Sequence, residues 1–286
     1  MFFSKAINEV IAQRYSCRTY DGQPIEPETR KKLEAFLASQ TAGRFGTPLR
    51  LELLAVSAEE RDALRGLGTY GIIRRPTGFL VGALGLGAHN MEEFGYALEH
   101  AVLLATDLGL GTCWLGGTFT RSSFAARIGL RADESMPAIS AVGNIADKRS
   151  FVDQLMRKGA RSSTRLPWEQ LFFDGRFGAP LAREQAGAYA TPLEMLRLAP
   201  SASNKQPWRV VREGARWHFY LQRTPGYGQI RVGHLRVGDL QRVDLGIAMC
   251  HWELTARELS LGGDWAFEEP AIQKPDEWAV YVATWK

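Results

Sequence analysis

Three stretches of this chain carry side chains whose types and spacing could do chemistry. Arg14-Tyr15-Ser16-Cys17-Arg18-Thr19-Tyr20 sets two arginines and a serine at alternating positions. In an extended segment such positions share one side, so Arg14, Ser16 and Arg18 would present their donors together. Guanidinium forks match phosphate oxygens two at a time, and a hydroxyl adds another donor. Ala199-Pro200-Ser201-Ala202-Ser203-Asn204-Lys205-Gln206-Pro207-Trp208 is a second candidate. Its prolines fix torsions while Ser and Asn satisfy turns locally, giving a rigid polar loop that could face the edge of a flat heterocycle. The third is Leu108 to Gly117, LGLGTCWLGG. Taken singly, the first stretch reads sooner as solvated surface charge and the second as an ordinary helix-to-strand turn.

Other chemistries fall away on spacing. Cys17, Cys113 and Cys250 are odd in number and far apart, with no zinc-type Cys/His pattern, and this usage suits a reducing compartment. Gly109-Leu110-Gly111 ends a helical pattern where a dinucleotide fingerprint would open one, and Trp114 stands at its last glycine position. Gly82, Gly85 and Gly87 lack the Lys-Ser/Thr of a phosphate loop, and no nucleophile motif is present. His100 and His251 sit in apolar helices and read as core or interface residues, as do Trp114 and Trp265. A net charge of +4 suits an anionic ligand. The densest basic group, Arg157, Lys158, Arg161 and Arg165, has no interleaved aromatics and reads as a solvated helix face, so nucleic acid is not expected. The start of the chain reads as an amphipathic helix, and no apolar run approaches the ~18 residues of a membrane span. A cytoplasmic protein without a membrane partner is the expectation.

An internal repeat organises the elements that must position these groups. Gly95 to Trp114 (GYALEHAVLLATDLGLGTCW) and Gly246 to Trp265 (GIAMCHWELTARELSLGGDW) align without a gap at a shift of 151, with nine identities in twenty positions. They include His100/His251 and Trp114/Trp265. Each half reads as helix, strand, long helix closed by glycine, strand. Helices are expected at Glu28 to Ser39 and Pro192 to Leu198, with β-runs at Leu49 to Val56, Trp208 to Val211 and Trp217 to Gln222. Closing runs follow at Ala138 to Val142 and Trp278 to Thr284. This is an α+β pattern built twice, over residues 1–156 and 157–286. Two copies in one chain suggest a fused homodimer whose two sites are free to diverge.

Together, R-x-S-x-R before an aromatic, A-P-S-x-x-N-x-Q-P-W and LGLGTCWLGG resemble the nitroreductase family of FMN-dependent enzymes. More narrowly, the chain resembles the fused "putative TM nitroreductase" type, whose single chain imitates the family's dimer. The resemblance implies the nitroreductase-like fold as an intramolecular pseudo-dimer. It also implies FMN as cofactor, NAD(P)H as electron donor, a small-molecule electron acceptor such as a nitroaromatic or quinone, and ping-pong order with no catalytic side chain. Arg14, Tyr15, Ser16 and Arg18 would then meet the phosphate, ribityl chain or pyrimidine edge. Pro200, Ser201, Ala202, Asn204 and Gln206 would pack along the ring. Leu115, Gly116 and Gly117 would lie near the flavin N5. The family's second basic grip would fall at Arg165, with Arg161 standing in for a lysine replaced by Ser163.

In ordinary members each flavin is held by the first motif of one subunit and the second motif of its partner. Here Arg14 to Arg18 survive only in half one, whose turn at Ala38 to Pro48 lacks Asn-x-Gln-Pro-Trp. The Pro200 to Trp208 loop survives only in half two, whose start, Phe173 to Phe177, lacks R-x-S-x-R. One intact pocket and one vestigial pocket are expected. Other flavin reactions, such as dehalogenation, azoline oxidation or flavin breakdown, would need a dedicated lid. Gly66 to Asn90 offers a candidate, with Tyr70, Arg74 and Arg75 upon it. A non-catalytic flavin-binding protein is the other alternative.

Overall fold

The computed structural model describes residues 3–40, 43–57, 64, 66–147, 164–227, 229–232 and 235–286. The expected junction at 156/157, and with it Arg157, Lys158, Arg161 and Ser163, lies outside these residues. Half one contains α1 (Ile7–Gln13), α2 (Pro27–Ser39), β1 (Leu49–Ala55), β2 (Gly78–Leu84), α3 (Asn90–Asp107), β3 (Gly111–Leu115), α4 (Arg121–Arg127) and β4 (Ile139–Gly143). Half two contains β5 (Phe172–Asp174), α5 (Ala190–Arg197), β6 (Trp208–Glu213), β7 (Arg216–Gln222), β8 (Gln229–Val232), β9 (Leu235–Asp239), α6 (Leu240–Glu258), β10 (Trp265–Ala266) and β11 (Ala279–Trp285).

The first sheet has the antiparallel order β1-β2-β4-β3, and the second has the order β10-β11-β7-β6-β5 with only β5 and β6 parallel. The expected α+β class holds, and among the described residues the anticipated helices and strands lie within a few residues of their observed places. Helix starts follow local chemistry. Pro27 occupies the first turn of α2 while the Glu26 carboxylate accepts from the Thr29 N–H at 2.9 Å. Asp239 caps α6 by accepting from the Arg242 N–H at 3.3 Å.

Two expectations need correction. Gly78–Leu84, inside the candidate lid, is an inner strand buried at every position. The sheet is covered on both faces: Leu80 and Leu84 enter the core shared with α3, while Phe79 and Val81 pack with Phe124 of α4. A strand hydrogen-bonded on both edges cannot serve as a moving cover. The closing glycine is also asymmetric. Gly109 takes φ +84 after α3, but its counterpart 151 residues on is Ser260, at φ +56. A serine accepts there a left-handed backbone that costs a non-glycine residue about 1 kcal/mol.

The long helices α3 and α6 lie against each other at the centre, almost wholly buried. Their approach depends on two glycines: a Cβ at Gly95 would lie 2.1 Å from the Val243 carbonyl oxygen, and one at Gly246 would lie 2.0 Å from that of Glu92. Arg242 adds a bidentate ion pair across the seam to Glu92, at 2.7 and 2.6 Å.

Candidate functional site

The segment after α1 runs extended beside β3. Ser16 pairs with Thr112, and the Cys17 N–H donates to the Thr112 carbonyl at 2.7 Å. Cys17 and Tyr20 turn inward, where the Tyr20 hydroxyl donates to the Cys17 carbonyl at 2.8 Å. Arg14, Ser16 and Arg18 thereby share the wall of one cavity, as their alternation anticipates. Behind Arg14 lies a buried polar group. Glu99 is 3.8 Å from the Arg14 guanidinium, accepts from Trp114 Nε1 at 2.6 Å and meets His251 Nε2 at 2.9 Å. His251 Nδ1 faces the Met195 carbonyl at 2.9 Å and must donate to it, so a proton lies between Nε2 and Glu99. The histidine is an interface residue, as read from the sequence.

Half two supplies the facing wall as a loop held under backbone strain. Ser203, Asn204 and Gln206 take φ +50, +54 and +50, each costing about 1–2 kcal/mol. Local bonds hold the shape. Ser201 Oγ accepts from the Gln206 N–H at 2.9 Å, and Asn204 Nδ2 donates to the Thr164 carbonyl at 3.0 Å. The Asp244 Oδ1 accepts from the Ala202 N–H at 2.9 Å. Arg165 reaches the loop from the other side, donating to the Leu198 carbonyl at 2.9 Å and to Asn204 Oδ1 at 3.5 Å.

Between these walls lies a cavity of ≈ 300 Å³. Arg14, Tyr15, Ser16 and Arg18 line it from half one together with Gly116 and Gly117. Arg165, Pro200, Ser201, Ala202 and Asn204 line it from half two. Burial, with Arg14 and Arg197 nearby, pushes the Arg165 guanidinium down to about 10, so it stays charged at neutral pH. Three clustered guanidiniums make an anion site. A Cβ at Gly116 would press on the end of the Leu240 side chain, 2.5 Å away, whereas Gly117 borders open space. Arg121 fixes this turn by donating to the Gly116 carbonyl at 3.1 Å.

Several site expectations do not meet at the cavity. Leu115 is buried in the core beneath the first sheet, because its strand position points away. Gln206 is buried too: its Oε1 accepts from the Leu166 N–H at 2.8 Å, which makes it a tie between loop and chain. Arg161 lies outside the described residues. Conversely, Trp114, read as core, lines the cavity, and so do Tyr227, Leu240, Val243, Asp244 and Ile247. An acid in the apolar stretch Val243 to Met249 was the one available signal for Asp244.

The corresponding place in half one holds a smaller cavity of ≈ 180 Å³, lined by Gly43, Arg44, Glu93, Tyr96 and His100. Glu93, 151 residues before Asp244, accepts from the Arg44 and Phe45 N–H groups with its two oxygens. The Phe45 ring packs edge-on to Tyr96, Trp265 and Phe267. Arg44 binds Glu253 and Asp264 across the seam.

No curated protein matches this chain. The crystal structure of a "putative nitroreductase" from Thermotoga maritima superposes with TM-score 0.60 at 21% identity, over 98% of this chain and 93% of that one. An FMN-complexed "putative nitroreductase" from Desulfovibrio desulfuricans gives TM-score 0.39 at 20% identity, over 53% and 95%. The "Putative NADH dehydrogenase/NAD(P)H nitroreductase" from Bacteroides thetaiotaomicron gives 0.41 at 17%, over 51% and 90%. The family model described as "Putative TM nitroreductase" matches residues 6–256, and the chain belongs to that family.

Proposed function

We propose that this chain is a flavin oxidoreductase that holds one FMN between its two halves. The observation that carries the reading is that the two retained motifs face each other across one cavity, with the guanidiniums of Arg14, Arg18 and Arg165 on its walls. The residues present fit the group. Guanidiniums and Ser16 suit a phosphate and a polar chain, while Trp114, Leu240, Val243 and Ile247 suit an apolar ring system. FMN held there would supply the hydride chemistry that links NAD(P)H to a nitroaromatic, quinone or similar acceptor in ping-pong order.

The chain's own residues bind, orient and exclude water. Arg14, Arg18, Arg165 and Ser16 hold the anionic end. The loop at Pro200 to Asn204, pinned by Asp244 and Arg165, presents polar groups at fixed positions. Trp114 and the α6 side chains dry the wall. In this reading the two halves act as a fused pseudo-dimer, divided near residue 156, with one working site and no need of a second chain. Three buried cysteines, far apart in the sequence, suit a reducing compartment such as the cytoplasm. Among the described residues no helix is long and apolar enough to cross a membrane.

Steady-state oxidation of NADH and NADPH by FMN-reconstituted protein, with nitroaromatic and quinone acceptors, tests the proposal. Parallel double-reciprocal lines are expected. Bound FMN without turnover of either nucleotide with any acceptor would make the chain a flavin-binding protein and sink the enzymatic reading.

A further inference from the structure

Two acids occupy one position of the internal repeat, Glu93 in half one and Asp244 in half two. Both fasten the helix-to-strand loop of their own half. Glu93 spends both oxygens on it, since Oε1 accepts from the Arg44 N–H and Oε2 from Phe45 and Thr47. Asp244 is one methylene shorter and spends only Oδ1, on the Ala202 N–H. Its Oδ2 is buried with no partner among the described residues. The residue is 3% exposed and lines the cavity beside Leu240, Val243 and Ile247.

A buried carboxylate with an idle oxygen is costly, and the cheaper state is the neutral acid. Burial, and secondarily the charge of Asp239, hold this carboxyl well above the usual carboxylate range. With Oδ1 accepting from Ala202, the proton belongs on Oδ2. A neutral acid offers an O–H donor, which a carboxylate cannot. We propose that Asp244 is a ligand-binding residue of the cavity, its Oδ2–H donating a hydrogen bond to an acceptor atom of the flavin while Oδ1 anchors the loop. The proposal rests on the flavin reading above. It assigns half two a specific polar contact that half one, with Glu93 fully spent, cannot make.

Several ionisable groups face Asp244. Asp239 sits at the start of α6 and pairs with Arg223 at 2.8 Å. Tyr227, Arg14, Arg18 and Arg165 line the same cavity, and Glu99 stands behind Arg14. All of them remain in an Asp244→Asn variant, whose amide supplies an N–H where the acid supplies O–H and keeps an oxygen for Ala202. That variant separates Asp244 from its neighbours.

The experiment titrates flavin-stripped wild type, Asp244→Asn and Asp244→Leu with FMN from about pH 6 to about pH 10, with Kd read from flavin fluorescence. At neutral pH, Asp244→Asn should bind within about threefold of wild type and Asp244→Leu about tenfold or more weakly, since leucine removes both the donor to the flavin and the Oδ1 anchor of the loop. As pH rises, wild-type binding should weaken relative to Asp244→Asn, because the ionised acid donates nothing. Circular dichroism establishes that each variant is folded, and Asp244→Asn carries the test if Asp244→Leu is not. Parallel pH profiles for wild type and Asp244→Asn, or unaltered affinity in folded Asp244→Leu, overturn the role of Asp244. Wild type that binds no FMN at any pH overturns instead the flavin reading beneath it.

Discussion

Gly95 and Gly246 are reciprocal: each stands on one central helix where a side chain would strike the backbone of the other. Position 95 faces the Val243 carbonyl and position 246 faces that of Glu92, and both pairs are related by the same shift of 151. In a self-complementary interface, residue i meets j just as j meets i, so this pairing supports the fused-dimer reading.

Gly95→Ala and Gly246→Ala give that seam a test with a diagnostic sign. Alanine inside a helix is favoured over glycine by about 1 kcal/mol, so propensity alone predicts stabilisation. Backbone atoms near 2 Å cannot yield as a flexible side chain would. Each variant should lose about 2–3 kcal/mol to overpacking in urea denaturation, and a gain in either would contradict the described approach.

Glu99 serves both halves, meeting Arg14 and Trp114 of one and His251 of the other. Glu99→Leu keeps the volume but leaves two buried N–H donors without their acceptor. The variant should lose about 3–5 kcal/mol of stability, read from denaturant midpoints, and should also weaken FMN binding through the displaced Arg14.

Burial alone pushes His100 from 6.5 down to about 4. It packs on Phe3, Phe36 and Tyr96 as a neutral ring. The unfolded chain takes up a proton near pH 6.5 that the folded chain refuses until about 4, so stability falls as pH drops through that window. The displacement is worth at most about 3 kcal/mol, and the ring's solvent-open edge reduces this to about 2. His100→Phe should flatten that part of the stability profile between about pH 7 and about pH 4.5. An unchanged slope would show that His100 is not its source.

The divided site predicts unequal effects from three basic or polar residues. Arg14→Ala and Asn204→Ala should each weaken FMN binding about 10- to 100-fold, since they remove a charged contact and a loop fastener. Arg176 is exposed on the turn after β5, where half two has lost the first motif. Arg176→Ala should bind FMN within about twofold of wild type. Isothermal titration compares the three directly.

Much of this was legible because local chemistry and tertiary use agree. The alternation of Arg14, Ser16 and Arg18 survives because the segment runs extended beside β3. Elements with clear periods, such as α2 and β7, fell where expected. β2 did not, because GFLVGAL is apolar throughout and rich in glycine, and two-sided burial erases the alternation that marks a strand. Gln206 belongs to a binding motif yet turns from the cavity to accept from the Leu166 N–H and donate to the Asn204 carbonyl, a choice that motif spacing does not encode. Trp114 and Asp244 became site residues only when two segments from different halves enclosed a cavity, which single-helix patterning cannot show.

In the proposed arrangement each chain holds one asymmetric flavin site, with the phosphate grip in half one and the ring loop in half two. Reconstitution with excess FMN, gel filtration and quantitative absorbance of flavin against protein test it most directly. A ratio near one is expected. A ratio near two would show that the smaller cavity beside Glu93 also binds flavin, and a ratio near zero would remove the site altogether.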